Sequence, residues 1–245
     1  MFNSLDETEH LTVIASDFHV IIHATASWHT ASARALFTVH IFGPSNLSDR
    51  PHSAGYIETR TISAKQDVYS YENYRESSEV YVQRTTTDIA VIEEGDNCNV
   101  KTHIVIAPTI FALGTSSANR FSIQLPAMIK AALENSECLV IGDEKTTWSH
   151  VHIRDLAELF KMLLKRVASG DGASSETEGI LFGESEMHTH LELSQRLARA
   201  GEPAWVVGFR SGEERGWMKL VSGGIIEFLR GRSWPLVQSE NRLVV

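Results

Sequence analysis

Stretches rich in β-branched and aliphatic residues recur along this chain between segments of helical periodicity, and this alternation limits the folds open to it. Residues 17–25, 39–42 and 99–107 have the nearly continuous apolar character of strands that are buried on both faces of a sheet. The clearest helix spans 155–167 and repeats its apolar residues at helical spacing. Strands that alternate with helices predict an α/β fold with a mainly parallel sheet.

The remaining pattern is less regular. Residues 43–70 are predicted to form a loop, and 76–94 a single long helix. The helix at 155–167 is predicted to begin with Asp155 as its N-cap, because a carboxylate there can accept hydrogen bonds from free backbone N–H groups. After Gly201 the periodicity fades, and no regular element is predicted for 202–245.

Composition excludes several classes of protein. The chain has 245 residues, 42% of them hydrophobic, which is enough for one domain or a domain with a small lobe. The formal charge of −9 argues against nucleic acid or an anionic membrane as a partner. The two cysteines, Cys98 and Cys138, form no metal-type spacing, and residues 1–7 have no signal-peptide character. We therefore expect a cytoplasmic protein.

Three segments, in this order, carry a resemblance to a known family. Residues 17–26 have the form Asp-x-x-Val-Ile-Ile-His-x-x-Ala, and residues 105–114 read Val-Ile-Ala-Pro-Thr-Ile-Phe-Ala-Leu-Gly. The third comprises Val-Ile-Gly-Asp at 140–143 and His-Val-His-Ile-Arg-Asp-Leu-Ala at 150–157. Together they resemble the extended short-chain dehydrogenases/reductases, the Rossmann proteins that include NAD-dependent epimerases and dehydratases. The resemblance covers roughly residues 5–200.

The resemblance implies an incomplete Rossmann-like parallel sheet, flanked by helices, with a small C-terminal substrate lobe. Residues 1–135 would be a partial NAD(P)-binding domain that lacks its first βαβ units. Residues 136–201 would mix substrate-lobe elements with the Rossmann core, and 202–245 would be an irregular divergent tail. A dinucleotide site opens with a glycine-rich turn, and no glycine precedes Gly43. We therefore expect an N-terminally truncated member.

For the cofactor, the resemblance implies NAD or NADP. The family's fourth strand ends against the cofactor, which corresponds here to the run His23, Ala24, Thr25 and Ala26, and a second contact segment corresponds to Pro108 and Thr109. The alternative is that the first run is simply a strand that ends in small residues.

For catalysis, the family uses a Ser or Thr hydroxyl, a Tyr that transfers the proton, and a Lys four residues further on. Gly43 stands near the expected hydroxyl position, which leaves Ser45 as the nearest substitute. Tyr81 lies 27 residues before Pro108, close to the family spacing, but Thr85 replaces the lysine. Arg84 is then the nearest cation, and a guanidinium can stabilise a phenolate by its charge.

Other arrangements stay open. Tyr71 with Arg75 has the right internal spacing but lies about ten residues too far from Pro108. Both tyrosines are also compatible with ordinary packing roles. The pairs His150-x-His152 and His188-x-His190 have a spacing that metal ligands can use, but no carboxylate or cysteine joins them at a recognisable distance, so no metal is expected.

The leading functional expectation is an NAD(P)-dependent oxidoreductase or epimerase/dehydratase that acts on a small carbonyl or alcohol substrate. The alternative is a non-catalytic regulator of the NmrA-like type that senses dinucleotides, which the loss of the lysine and of the hydroxyl at Gly43 favours. A third is a chain without activity in this truncated form. Neither nucleic acid nor membrane is expected as a partner, and assembly into a homodimer is left open.

Overall fold

The computed structural model describes residues 4–24, 29–36, 38–43, 47–48, 58, 60–78, 85–117, 120–135, 137–139, 147–170, 179–200, 205–211 and 214–220. The helices in these ranges are α1 (Thr8–Ala15), α2 (Thr30–Ala35), α3 (Val68–Ser77), α4 (Thr85–Asn97), α5 (Gln124–Asn135), α6 (Ile153–Ala168) and α7 (His190–Ala200). The strands are β1 (Ile22–His23), β2 (Val39–Phe42), β3 (His103–Ile106), β4 (Thr109–Phe111), β5 (Glu137–Leu139), β6 (Thr147–His152), β7 (Ile180–Phe182), β8 (Glu186–Thr189), β9 (Trp205–Ser211) and β10 (Glu214–Leu220).

The main sheet has four strands in the order β1-β2-β3-β7, and every pair is parallel. In the register of β2 and β3, Phe42 lies opposite Ile106, and Ile106 in turn lies opposite Phe182 of β7. The crossover from β1 to β2 contains the short helix α2. The α/β fold with a mainly parallel sheet is thus confirmed.

Helices cover this sheet on both faces. Successive residues of a strand point to opposite sides, so each strand contributes side chains to both helix layers. On one face Ile104, Ile106 and Ile180 pack in a cluster with Val68 of α3 and Val91 of α4. On the other face Val39 and Val105 pack with Leu156 and Leu163 of α6. Each fully buried aliphatic side chain of this kind contributes about 1.5–3 kcal/mol to folding. The strands are predominantly apolar because both faces are buried, and the histidines among them, such as His40 in β2 and His103 in β3, are buried as well.

The chain then passes into a second sheet at Pro108. This sheet has the order β4-β6-β8, with β4 parallel and β8 antiparallel to β6. Proline has no N–H to donate to a ladder, so it suits the junction where β3 ends in one sheet and β4 begins in the other. The main sheet and this smaller sheet are therefore joined directly through residues 106–109.

A third sheet includes residues 205–211 and 214–220, for which no regular element was predicted, while residues 221–245 of the predicted irregular tail lie outside the described residues. Strands β9 and β10 form an antiparallel hairpin, and β9 also pairs in parallel with β5, so the order is β10-β9-β5. Valine, phenylalanine and tryptophan favour strands, and these residue types are frequent in 205–220. A hairpin has no helical periodicity, so the absence of that pattern did not predict one.

Two further predictions were wrong in detail. Instead of one helix over 76–94, the structure has α3 and α4, and α3 begins at Val68 because the Asp67 side chain caps it by accepting a hydrogen bond from the Ser70 N–H. Helix α6 begins at Ile153, and its N-cap is His152, whose ring accepts from the Arg154 N–H at 3.1 Å. Asp155 lies in the first turn, where a carboxylate still stabilises the helix dipole.

Strand β1 stands at the end of the main sheet, and apolar side chains lie exposed around it. Phe18 is 61% exposed and Ile22 is 45% exposed. An exposed, apolar strand edge offers unpaired backbone groups to a further strand. Among the described residues, no helix is long and apolar enough to cross a bilayer.

Candidate functional site

The carboxyl ends of the parallel strands meet at one edge of the main sheet, and each strand is followed by a small residue. Ala24 follows β1, Gly43 follows β2, Ala107 follows β3 and Gly183 follows β7. The backbone continues the ladder there: the Ala107 N–H donates to the Phe42 carbonyl at 2.8 Å, and the Gly183 N–H to the Ile106 carbonyl at 2.9 Å. In open α/β sheets, ligands bind outside this edge. This edge is therefore the candidate site.

Two of the small residues differ in what surrounds them. A Cβ added at Gly43 would meet no atom of the described residues within 4 Å. A Cβ at Gly183 would instead come within 2.9 Å of Leu156 on α6. Glycine at 183 serves close packing of a helix on the sheet, whereas no described atom crowds the position of a side chain at Gly43.

His23, the first predicted cofactor residue, has its side chain inside the protein. It is 2% exposed, its Nδ1 lies 2.8 Å from Nδ1 of His40, and the two rings stack with centroids 4.9 Å apart. Burial lowers the pKa of His23, and the charge of His29 lowers it further. The ring therefore stays neutral and engaged with His40, while Ala24, the next residue, is exposed at the strand end.

Pro108 and Thr109 occupy the link between the two sheets. Thr109 is buried and begins β4, where it lies opposite His150 of β6. Ala24 and Thr109 thus follow β1 and β3, the two strands on either side of β2. The structure brings these predicted residues to the same edge of the sheet, and their contact with a cofactor stays a prediction. Thr25 and Ala26 lie outside the described residues.

Tyr81, Arg84 and Ser45, the predicted catalytic residues, also lie outside the described part of the chain. The described segment nearest to Ser45 on its N-terminal side ends at Gly43. Helix α4 begins at Thr85, directly after Arg84 and four residues after Tyr81. Their catalytic roles stay predictions.

The alternative pair, Tyr71 and Arg75, belongs to a buried polar network. The Tyr71 hydroxyl donates to Glu58, whose carboxylate also accepts from the Arg60 N–H at 2.9 Å. Arg75 lies 3.9 Å from the same carboxylate and donates from Nη2 to the Ser48 carbonyl at 2.7 Å. A phenol that donates to a carboxylate is disfavoured as a phenolate, because ionisation would place two anions in contact. The geometry assigns this pair to holding the loop against α3.

A cavity of about 480 Å³ adjoins this network. It is lined by Tyr71 and by the segments 60–62 and 66–68, and the Arg60 guanidinium lies over the Tyr71 ring at 5.0 Å from its centroid. The volume is within the range of small-molecule sites. The sequence analysis missed Glu58, which anchors this region, because a single acidic residue in a predicted loop carries no pattern.

The two His-x-His motifs do not converge on a metal-type site. His150 contacts His188 through Nδ1, His152 caps α6, and His190 packs edge-on against Trp148. Among the residues that the structure describes, no three potential ligands lie together in a way that could hold a metal ion.

Comparison with known proteins relates this geometry to a family. Residues 8–175 match the family model described as NAD dependent epimerase/dehydratase. The chain is also similar to the oxidase ucsJ of an Acremonium species, at 24% identity over 128 residues, which are 52% of this chain and 35% of the oxidase.

Solved structures share the fold. The dTDP-glucose 4,6-dehydratase of Bacillus anthracis, a complex with NAD, is similar with a TM-score of 0.54 at 12% identity and covers 81% of this chain. The UDP-glucuronic acid 4-epimerase of Bacillus cereus, in complex with UDP-glucuronic acid and NAD, has a TM-score of 0.52 at 13% identity and covers 84%. This chain covers 62% of the dehydratase and 67% of the epimerase. It spans about a third of the Acremonium oxidase.

Proposed function

This chain belongs to the NAD dependent epimerase/dehydratase family, and from that premise we propose that its fold serves hydride transfer between a nicotinamide cofactor and a small carbonyl or alcohol substrate. The observation that carries the proposal is the edge of the main sheet, where Ala24, Gly43 and Ala107 leave the strand ends free of large side chains. A flat nicotinamide ring needs such close approach to the backbone. The family's solved relatives named above hold NAD.

The residues of this sequence fit only part of a dinucleotide. Gly43, whose added Cβ would meet no described atom within 4 Å, and the exposed Ala24 suit the nicotinamide half. The pyrophosphate half needs a glycine-rich turn at a helix N-terminus, and residues 1–42 contain no glycine. The chemistry that the cofactor supplies when bound is hydride transfer. What this chain would contribute is the wall against the nicotinamide and the groups that handle the substrate's proton.

Proton transfer is assigned in this proposal to Tyr81. The phenol would donate to, or accept from, the substrate oxygen, Arg84 would stabilise the phenolate by its charge, and Ser45 would hydrogen-bond to the same oxygen. The spacing of Tyr81 from Pro108 supports the assignment. The engagement of the Tyr71 hydroxyl with buried Glu58 supports it too, because it removes the competing tyrosine.

The test is a fluorescence titration of the purified chain with NADH and with NADPH, followed by turnover measurements on small aldehydes, ketones and alcohols. We expect binding, and we expect Tyr81→Phe to lower turnover by about 100-fold or more without weakening cofactor binding. Tyr74→Phe is the matched control, since Tyr74 is exposed and lies on α3. Absence of binding at roughly millimolar cofactor would contradict the proposal for this chain.

The same measurements identify the alternative role. Thr85 in place of the lysine and Gly43 in place of the hydroxyl residue favour a protein that binds the dinucleotide without turning it over. Tight binding with no turnover in the unmodified chain, and no effect of Tyr81→Phe, would assign the protein to dinucleotide sensing.

A further inference from the structure

Two histidines join β6 and β8 in the smaller mixed sheet. In the antiparallel register Trp148 lies opposite His188 and His150 lies opposite Glu186, so His150 and His188 are diagonal neighbours on one face. Their Nδ1 atoms are 2.7 Å apart and their ring centroids 4.9 Å apart. This is a direct hydrogen bond between two imidazoles across the strands.

This hydrogen bond can form only when at least one of the two Nδ1 atoms carries no proton. One Nδ1 must carry the hydrogen and the other must offer its lone pair, so at most one of the two rings is an imidazolium. When both rings are protonated, two N–H groups and two positive charges face each other at this distance. The contact then changes from attraction to repulsion.

The surroundings of the pair resist the second proton. His188 is 6% exposed, and its Nε2 has no hydrogen-bond partner among the described residues. Burial, and after it the charges of His150, His190 and Arg196, lower the pKa of His188 to about 4, while Glu192 acts in the opposite direction. On the side of His150, the Glu186 carboxylate lies 3.7 Å from Nε2 and is largely exposed.

The neighbouring strand connects the pair to the junction with the main sheet. Phe111, at the end of β4, packs edge-on against His150 with centroids 5.4 Å apart and against His152 at 5.1 Å. Strand β4 begins at Thr109, directly after Pro108. On the other side, β8 continues without a break into α7, which begins at His190. A change at the pair therefore acts on the attachment of β8 and α7 to the sheet.

We propose that His150 and His188 form a proton-operated histidine clasp, which holds β8 on β6 while the pair shares one proton and releases β8 when both rings are protonated. The signal to which the clasp responds is the proton concentration. The clasp is independent of any cofactor, so it stands or falls separately from the function proposed above.

Hydrogen exchange measured against pH tests the clasp, with rates corrected for the intrinsic effect of pH. Between about pH 7 and about pH 4, we expect exchange in Glu186–Thr189 to accelerate about tenfold or more, while the centre of α4 stays protected. If all segments lose protection together, the event is global unfolding and the clasp is excluded. Unchanged exchange in β8 excludes it too.

Variants identify the responsible groups. Asparagine places an amide near the position of Nδ1 and takes up no proton in this range, so His188→Asn and His150→Asn should each abolish the acid acceleration. His190→Asn, also on the β8–α7 boundary, and His10→Asn, on the exposed face of α1, should retain it. Loss of the effect in His190→Asn with retention in His188→Asn would assign the transition to His190 and overturn the proposal.

Nitrogen-15 NMR of the unmodified chain gives a readout that needs no variant to fold. One imidazole of the pair should take up its proton only near pH 4, and its titration should be coupled to that of its partner. Two independent titrations near pH 6.5 would contradict the shared proton.

Discussion

The main parallel sheet and the smaller mixed sheet each contain two histidines joined through Nδ1, and the two pairs differ in what surrounds them. His23 and His40 lie opposite each other in parallel strands, with stacked ring planes 12° from parallel and Nδ1 atoms 2.8 Å apart. His150 and His188 are diagonal in antiparallel strands, with rings tilted by 43°. The contact is nearly the same, but the sheets around it are not.

The difference lies in charge more than in burial. Desolvation is the largest cause of the lowered pKa in both His23 and His188. For His23 the charge of His29 adds to burial, whereas for His188 the charges of His150, His190 and Arg196 add to it. The comparison shows that the acid sensitivity of a buried imidazole pair depends on the positively charged groups near it, such as Arg196 of α7 beside His188.

The largest expected effect concerns the buried polar network of Glu58, Tyr71 and Arg75. Arg75→Met should destabilise the chain by about 3–5 kcal/mol, because it leaves the buried Glu58 carboxylate without its guanidinium. The free energy of unfolding in urea measures this. Arg34→Met removes an exposed ion pair with Glu94 and should cost less than about 1 kcal/mol. Equal losses in the two variants would contradict the assignment of Arg75 to a buried network.

Acid sharpens the comparison between the two histidine pairs. Where the folded chain has the lower pKa, the unfolded chain binds more protons, so stability is present above pH 6.5 and is lost as the pH falls towards 4. The shift of His188 to about 4 corresponds to about 3 kcal/mol over this window. His188→Asn should flatten the dependence of unfolding free energy on pH more than His23→Asn does. The reverse order would show that the main sheet carries the acid sensitivity.

A smaller effect is expected in α4, which covers the main sheet. A Cβ at Gly95 would lie 2.8 Å from the Val100 carbonyl oxygen and would also overlap the Thr102 side chain. Gly95→Ala should therefore cost about 1–3 kcal/mol despite the better helix propensity of alanine. Gly43→Ala, where the added Cβ meets no described atom within 4 Å, should change stability by less than about 0.5 kcal/mol. Thermal unfolding of the two variants distinguishes them, and a neutral Gly95→Ala would refute the packing argument.

The smallest effect lies on the side of the mixed sheet, just after β4. Ala112 has a φ of +76°, a conformation that glycine adopts without strain and alanine does not. Ala112→Gly should stabilise the chain by up to about 1 kcal/mol, since the relief of strain exceeds the entropy that glycine gains on unfolding. Leu113→Gly, one residue on, has no such strain to relieve and should destabilise. A loss of stability in Ala112→Gly would contradict the backbone geometry.

The sequence predicted the elements that have a regular hydrophobic pattern. The buried strands at 39–42 and 103–106 and the amphipathic helix α6 were recognisable from hydrophobic patterning, and so was the parallel arrangement, because strands alternate with helices. It failed where short-range signals compete. His152 rather than Asp155 caps α6, and β9 and β10 occupy a segment without helical periodicity.

The site was predictable only as a set of strand ends. Ala24 and Thr109 follow the carboxyl ends of β1 and β3 in the observed sheet, and their contact with a cofactor stays a prediction. The side-chain pairs could not be predicted from the sequence, because they depend on contacts between residues that are far apart in it. His23 with His40, His150 with His188, and Glu58 with Tyr71 all join segments whose register the pattern does not specify.

Hydrogen exchange with and without NADH would locate the nicotinamide on the two sheets most directly. We expect protection at the carboxyl ends of β1 and β3, around Ala24 and residues 106–109, with no change in β8. Protection confined to the mixed sheet, or no protection at any saturating concentration of NADH, would contradict this expectation.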